Sequence, residues 1–471
     1  MTPQRLRAAA GRMDAVHDRY GDCFGRVEAR EHSRVYVQGL LLCEQRKTCE
    51  AIALRFATPR ESCSPGRREV QAVQHFLTES PWDYHQVQAT TQAIFSEELA
   101  PSAAASPVGV VGVIDESGDE KSGTHSCGAS TQWFGRLGKT EVCQVGVFLV
   151  GVVPQGTALL DHRLFLPKSW ANNPTRRRKT HVPQAIRFRT KPQLAIEMLE
   201  RTRANGHVQF DWITADSLYG KSGEFLASLE ARQQKYVVET AASITFWTCD
   251  PVRQIPEPSR SGPRPTRPAR DGVRAAEAIA KGLPASAWEP IQLREGAKGP
   301  LVAEFARVRV WSMRGRRPGP AVWLVFRREL DSQKVKYYVS NAADTVPLET
   351  LALVIAARWR VEEFLEDAKE YLGMADYEAR GWTSWHHHMS LVGMAHLYVM
   401  LVRQDLRDDV PELSLDRAYR LVCDAMSRPR LTPDESLRIT EYHLHYNHKA
   451  HQSHRKSWLR RNSRIAEKLR L

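Results

Sequence analysis

Residues 108–115 read VGVVGVID, and residues 211–216 read DWITAD. Each is a short apolar run that ends in aspartate. Runs of this length and composition read as strands buried in a sheet. Two strands are therefore expected to deliver Asp115 and Asp216 to points where the chain turns away, the first into ESGDEKSG. Between them stand two further β-rich runs with glycine breaks, EVCQVGVFLVGVV and ALLDHRLFLP, and then the amphipathic KPQLAIEMLERTRANG, which closes on a glycine. A second helical run, KSGEFLASLEARQQ, follows Asp216. Strand, helix, strand and helix in that order imply an α/β sheet. In an open sheet of this kind, groups at the carboxyl ends of strands face the crevice where ligands bind. Two aspartates there can converge as hard oxygen ligands for Mg²⁺ or Mn²⁺. Aspartate after a strand also caps helices and forms turns, the commoner role for either residue taken alone.

A third acid with a geometric reason to join them comes from RWRVEEFLEDAKEYLG, residues 358–373. At about 100° per residue, Val361, Phe364, Leu365, Ala368 and Leu372 form one apolar stripe. Arg358, Glu362 and Lys369 share the flank of that stripe, and Glu363 is expected to face solvent. An ordinary amphipathic helix, with Glu362 and Glu366 paired to Arg358 and Lys369, would show the same pattern.

Outward from these segments, residues 1–100 carry helical periodicity punctuated by Pro59, Ser80 and Pro81, and 102–109 (SAAASPVG) reads as a linker. The division expected is a helical N-terminal domain at 1–100, the first part of an α/β core at 108–233, a β-rich insertion at 234–345, a core helix region carrying the third acid at 346–400, and a helical basic C-terminal region at 401–471. The insertion contains the basic run PEPSRSGPRPTRPAR, whose prolines and arginines cannot pack a core and suit a tether or a DNA-contacting loop. A chain of 471 residues, 42% hydrophobic, is long enough for more than one core.

The net charge of +13 attracts an anionic polymer, and nucleic acid is the natural partner. The eight cysteines show no zinc spacing and are read as reduced packing residues. No apolar run approaches the roughly 20 residues needed to cross a bilayer, so a soluble, cytoplasmic protein without membrane association is expected. The cluster LPKSWANNPTRRRKTH, with Arg176, Arg177, Arg178 and Lys179, is a candidate DNA-backbone contact in which Trp170 either stacks on an unpaired base or packs. His386, His387 and His388, together with His443, His445, His448, His451 and His454, are read as a solvated basic surface rather than a zinc site.

Three blocks occurring in order, VIDESGDEKSGTHSCGASTQWFGRLGKTEVCQVGV, ITADSLYG and RWRVEEFLEDAKEYLGMADYEARGWTSWHHHMSLVGMAHLYVM, resemble bacterial insertion-sequence transposases of the DDE type, in the subgroup with a Tyr-Arg-Glu-Lys signature. YVQGLLLCEQRKTCEAIA and QHFLTESPWD look like the leading helical DNA-binding domain of that group. The resemblance implies an RNase H-like α/β core interrupted by a mainly β insertion. It also implies catalytic and metal-binding acids at Asp115, Asp216 and Glu362, and DNA contacts at Arg358 and Lys369; the signature's tyrosine falls on Ile355. It implies two divalent ions, with Asp115 bridging them, for cleavage at terminal inverted repeats and strand transfer into target DNA, and a homodimer that holds two DNA ends close to the nucleoid. Rival readings are another RNase H-like nuclease, a catalytically weak or domesticated DNA-binding relative, and a glycosidase with paired carboxylates, against which the basic charge argues.

Overall fold

The computed structural model describes residues 2–43, 46–57, 67–134, 138–251, 272–296, 299–315, 317–411, 413–426 and 431–463. The run PEPSRSGPRPTRPAR and Cys63 lie outside the described residues.

Five helices open the chain: α1 (Pro3–Asp18), α2 (Val27–Leu42), α3 (Cys49–Phe56), α4 (Arg67–Thr78) and α5 (Tyr84–Ile94). Asp83 caps α5 by accepting from the His85 amide at 2.8 Å. The first half of the expected linker at 102–109 is helical instead. A π turn, Phe95–Leu99, runs into a 3₁₀ turn, Ala100–Ala105, because the alanines carry no competing side-chain hydrogen bonds and Ala103 finds a buried place.

The sheet begins with β1 (Val111–Glu120), β2 (Ser130–Phe134), β3 (Lys139–Val153) and β4 (Gly156–Leu164). Short helices α6 (Lys168–Ala171) and α7 (Pro174–Lys179) precede α8 (Lys191–Asn205). A reciprocal cap between Thr190 and Gln193 starts α8, and Gly206 ends it at φ 75°. Then come β5 (Trp212–Ala215), α9 (Ser217–Gly220), α10 (Gly223–Ala231), β6 (Tyr236–Thr240), β7 (Thr245–Trp247), β8 (Val273–Ala275), α11 (Ala276–Lys281), β9 (Glu289–Gly296), β10 (Gly299–Arg314), β11 (Arg317–Glu329) and β12 (Val335–Ser340). The closing helices are α12 (Leu348–Ala357), α13 (Trp359–Tyr371), α14 (Trp382–Asp405), α15 (Leu415–Ala425) and α16 (Pro433–Arg461).

The described strands join one mixed sheet in the order β2-β3-β1-β5-β6-β12-β11-β10-β7-β8, with β4 paired to β3 and β9 to β10. β1 is antiparallel to β3 and parallel to β5, which is parallel to β6. The β-rich stretch at 234–345 is therefore continuous with the central sheet: β6 lies beside β5, and β12 hands the path outward to β11 and β10.

α14 locks the helical layer to the sheet. It packs on β4 on one side and on α2, α4, α5 and α15 on the other. A helix surrounded in this way must be apolar all round, and residues 384–402 are buried almost without a break. This overturns the expectation of a solvated histidine surface at 386–388. His386, His387 and His388 are fully buried, and their rings bond to carbonyls and a phenol: His387 to Leu77 and Trp82, His386 to Trp382, and His388 to Tyr36. The five histidines from 443 to 454 do lie exposed, on α16.

Candidate active site

β1 does not turn at Asp115. It continues to Glu120, because β3 pairs with it along its whole length, from Val111↔Val152 to Glu120↔Cys143. What ends near Asp115 is the other neighbour. β5 pairs with β1 only as far as Ile114↔Ala215, and the chain then leaves the sheet at Asp216. The two aspartates consequently stand side by side where the parallel pairing stops. Asp216 caps α9, its Oδ1 accepting from the Leu218 amide at 2.9 Å.

Glu116 joins them. Ligand oxygens of Asp115, Glu116 and Asp216 lie within 4.8 Å of one another, the group among the described residues able to hold a metal ion. Alternation along a strand normally sends neighbours to opposite faces, so Glu116 carried no sequence signal beyond its adjacency to Asp115. Past the end of β5 only β3 borders β1, and the edge on the side of Asp216 is open. Glu116 is steadied by Lys191 at 2.9 Å, at the start of α8, and by the Tyr219 hydroxyl at 3.1 Å.

Glu362 stands outside that cluster and is linked to it through Arg358. The guanidinium donates to Asp115 Oδ2 at 3.3 Å and to Glu362 Oε1 at 2.7 Å, and it lies 3.9 Å from Glu239 on β6. The helical run at 347–373 is divided at Arg358 into α12 and α13, which places the guanidinium over the strand ends. Lys369, one flank with Glu362 as the periodicity indicated, donates to Ser117 Oγ at 2.6 Å and to the Gly118 carbonyl. Glu363 does not face open solvent as expected, being two-thirds buried against Arg360 at 2.7 Å. Ile355, at the signature's tyrosine position, is buried in the core.

Charge follows from this crowding. Burial, with Asp216 and Glu116 adding repulsion, pushes the Asp115 carboxyl up to about 7 even though Arg358 opposes the rise. Burial likewise raises Asp216, with Glu116 next. A cluster of carboxylates built wholly of hard oxygen donors suits divalent cations.

The basic cluster at 176–179 divides. Arg176 stacks over the Trp170 ring at 5.0 Å, and Arg177 donates to the Pro183 carbonyl at 2.8 Å, so both support local structure. Arg178 and Lys179 are exposed. Trp170 is buried, its indole N–H donating to the Ala129 carbonyl at 2.8 Å, which leaves no ring face for a base.

Residues 19–300 match the family model described as DDE superfamily endonuclease. The chain belongs to this family. The matched span of this DDE endonuclease contains Asp115, Glu116 and Asp216 and ends before Glu362. A similar protein, described as a probable transposase for insertion sequence element IS701 from Microchaete diplosiphon, is 29% identical over 169 residues. Those residues are 36% of this chain and 40% of that relative. A solved structure described as the piggyBac transposase synaptic complex with hairpin DNA overlaps 70% of this chain and 57% of its own, at 10% identity and a TM-score of 0.32. The family implies use of divalent metal, and the carboxylate cluster fits that requirement. Among the described residues, no helix is long and apolar enough to cross a membrane.

Proposed function

We propose that this DDE endonuclease is a transposase that cuts double-stranded DNA at the terminal inverted repeats of its element and joins the freed 3′-hydroxyl to target DNA. The observation that carries the proposal is the meeting of Asp115 and Asp216 at the ends of paired parallel strands, with Glu362 tied to the same point through Arg358. The path β4-β3-β1-β5-β6, three antiparallel strands followed by two parallel ones, supports an RNase H-like core around that point.

Asp115, Asp216 and Glu362 would hold two divalent ions, Mg²⁺ or Mn²⁺, with Glu116 a further donor beside them. Bound there, the ions activate a water or hydroxyl nucleophile and stabilise charge on the attacking and leaving oxygens. The chain's own groups supply the rest. Arg358 holds Asp115 and Glu362 in orientation, and its two-pronged donor fork matches a phosphate. Lys369 fixes β1 beyond Asp115 and adds a point charge on the same face. Arg178 and Lys179 offer exposed cations to the DNA backbone. A homodimer is the assembly that would hold two element ends at once.

The test is Mg²⁺-dependent cleavage of DNA carrying the element's terminal repeats, by the native protein and by Asp115→Ala and Glu362→Ala. Cutting at the repeat ends that both substitutions abolish, while repeat binding persists, is the expected result. The second reading, a DNA-binding relative with weak catalysis, is favoured by the buried Ile355 where the resemblance places a tyrosine hydroxyl. Repeat binding by the native protein without cutting, in Mg²⁺ and in Mn²⁺, would decide for it.

A further inference from the structure

Beyond the carboxylate cluster, a second charged feature lies under β4. Asp161 is fully buried, and its carboxylate is gripped by Arg201 from α8, with Nη2 at 2.7 Å from Oδ1 and 2.5 Å from Oδ2. Gln88 of α5 donates to the same carboxylate at 3.3 Å. Arg163, two residues along β4, therefore reaches an acid whose oxygens are already engaged. The two approach no closer than 3.8 Å. Only 13% of the Arg163 side chain is exposed, yet among the described residues none of its N–H groups meets a hydrogen-bond acceptor. No Arg163 nitrogen is sealed in the core, so its guanidinium opens to an acceptor from outside the chain.

Arg163 lines a cavity of about 170 Å³, with Tyr84, His85 and Trp382 among its walls and the exposed Arg187 and Arg189 at its mouth. Arg189 is paired to Glu197 at 2.7 Å, whereas Arg187 is held by backbone carbonyls of Gln184 and Ile186. The lining carries three guanidiniums, those of Arg163, Arg187 and Arg189, against one carboxylate, that of Glu197. The cavity thus keeps an excess of two positive charges. His85 adds none, since burial and the adjacent Arg201 and Arg163 disfavour its protonation.

A phosphate oxyanion answers every element of this arrangement: it accepts several N–H groups at once and neutralises the excess. We infer that the Arg163 cavity binds a phosphodiester of the DNA, at a point separate from the carboxylate cluster, and so fixes how the duplex lies across the sheet. This inference rests on the proposed DNA substrate. Arg163 is in that case a binding residue for the backbone, and Arg187 is the second arm of the grip.

The experiment measures DNA binding by fluorescence anisotropy, in a calcium buffer that does not support cutting, across a series of salt concentrations. The proteins compared are native, Arg163→Met, Arg163→Lys and Arg187→Ala, each checked for a native melting profile. Arg163→Met is expected to weaken binding roughly tenfold and to flatten the salt slope by about one. Arg163→Lys should recover part of the affinity, because a point charge still meets a phosphate. Arg187→Ala lies on the surface, cannot empty the core, and should weaken binding in the same sense even if Arg163→Met fails to fold. Unchanged affinity and slope in Arg187→Ala and in a folded Arg163→Met overturn the inference. They overturn it also if inorganic phosphate raises the native melting temperature and not that of Arg163→Met, which would make the cavity a site for the free ion. Absence of DNA binding by the native protein would instead remove the functional proposal on which this one stands.

Discussion

At Asp115 burial and, after it, two neighbouring carboxylates outweigh one guanidinium, and the consequence is measurable without any DNA. The ordinary carboxyl value is 3.8, and the folded protein holds this one near 7. Between those values the native state keeps a proton that the unfolded chain releases, so this group makes stability fall as pH rises from about 4 to 7. Above 7 the whole penalty is present. Asp115→Asn in chelator is therefore expected to be more stable than native at pH 8, by at most about 4 kcal/mol at 1.36 kcal/mol per pH unit, and nearly equal to it at pH 4. Urea melts at both pH values decide, and an equal gap at both would remove the repulsion account. Mg²⁺ should raise the native melting temperature at pH 8 and leave that of Asp115→Asn nearly unchanged. Glu362 is 45% exposed on its side chain, so Glu362→Gln should leave folding intact. It should lower repeat cleavage by roughly 10³-fold, the scale of several kcal/mol from a metal site, with DNA affinity held. Retained cleavage would move the third acid elsewhere, Glu116 being the nearest candidate.

At the level of elements, α14 and its surroundings set the acid limit of the molecule. Burial holds His387 and His388 down at about 4 and His396 at about 3, as it does His162 on β4. The unfolded chain takes up these protons near 6.5, so their contribution is complete above that value and is lost as pH falls from 6.5 towards 4. This loss has the opposite sign to the Asp115 effect and involves more groups, so the melting temperature of the native protein should drop over that window. A flat profile would mean that α14 is not packed as described. The packing of α9 on β6 makes a second prediction. A Cβ on Gly220 would stand 1.9 Å from the Glu239 carbonyl oxygen, a backbone atom that cannot move aside cheaply. Gly220→Ala should destabilise by about 2–3 kcal/mol in urea unfolding, and by shifting β6 it should loosen the Glu239 partner of Arg358.

For the whole molecule, the net charge of +13 would make the proposed DNA binding a counterion-release process. A steep fall of affinity with salt is expected for any duplex, and repeat ends should add affinity above that background. From His448 to Arg461, α16 carries Lys449, Arg455, Lys456, Arg460 and Arg461 and no acid. Replacing these five by alanine should flatten the salt slope on repeat and unrelated duplexes alike, since phosphate contacts carry no base information. Sedimentation of the protein with two repeat ends is expected to show two chains per complex, and a complex of one chain with both ends would argue against the dimer.

That strands lead to Asp115 and Asp216 was legible in the sequence because an apolar run followed by aspartate is a local pattern: VGVVGVID and DWITAD needed no partner to be read as strands. The phase of residues 358–373 likewise put Arg358, Glu362 and Lys369 on one flank, because helical periodicity is fixed by the backbone. What depended on distant neighbours could not be read this way. β1 runs on to Glu120 because β3 pairs with it there, and Glu116 enters the cluster because β5 stops short. His386, His387 and His388, polar by type, are buried because a helical layer and a sheet close on α14 from both sides, and backbone carbonyls and the Tyr36 hydroxyl bond to their rings. Arg163 is left with idle donors because Arg201, some forty residues away, takes its acid first. Local pattern and charge were decided by the order of the residues, whereas burial, and the choice of which charges meet, was decided by long-range pairing, since desolvation depends on everything that surrounds a group in space.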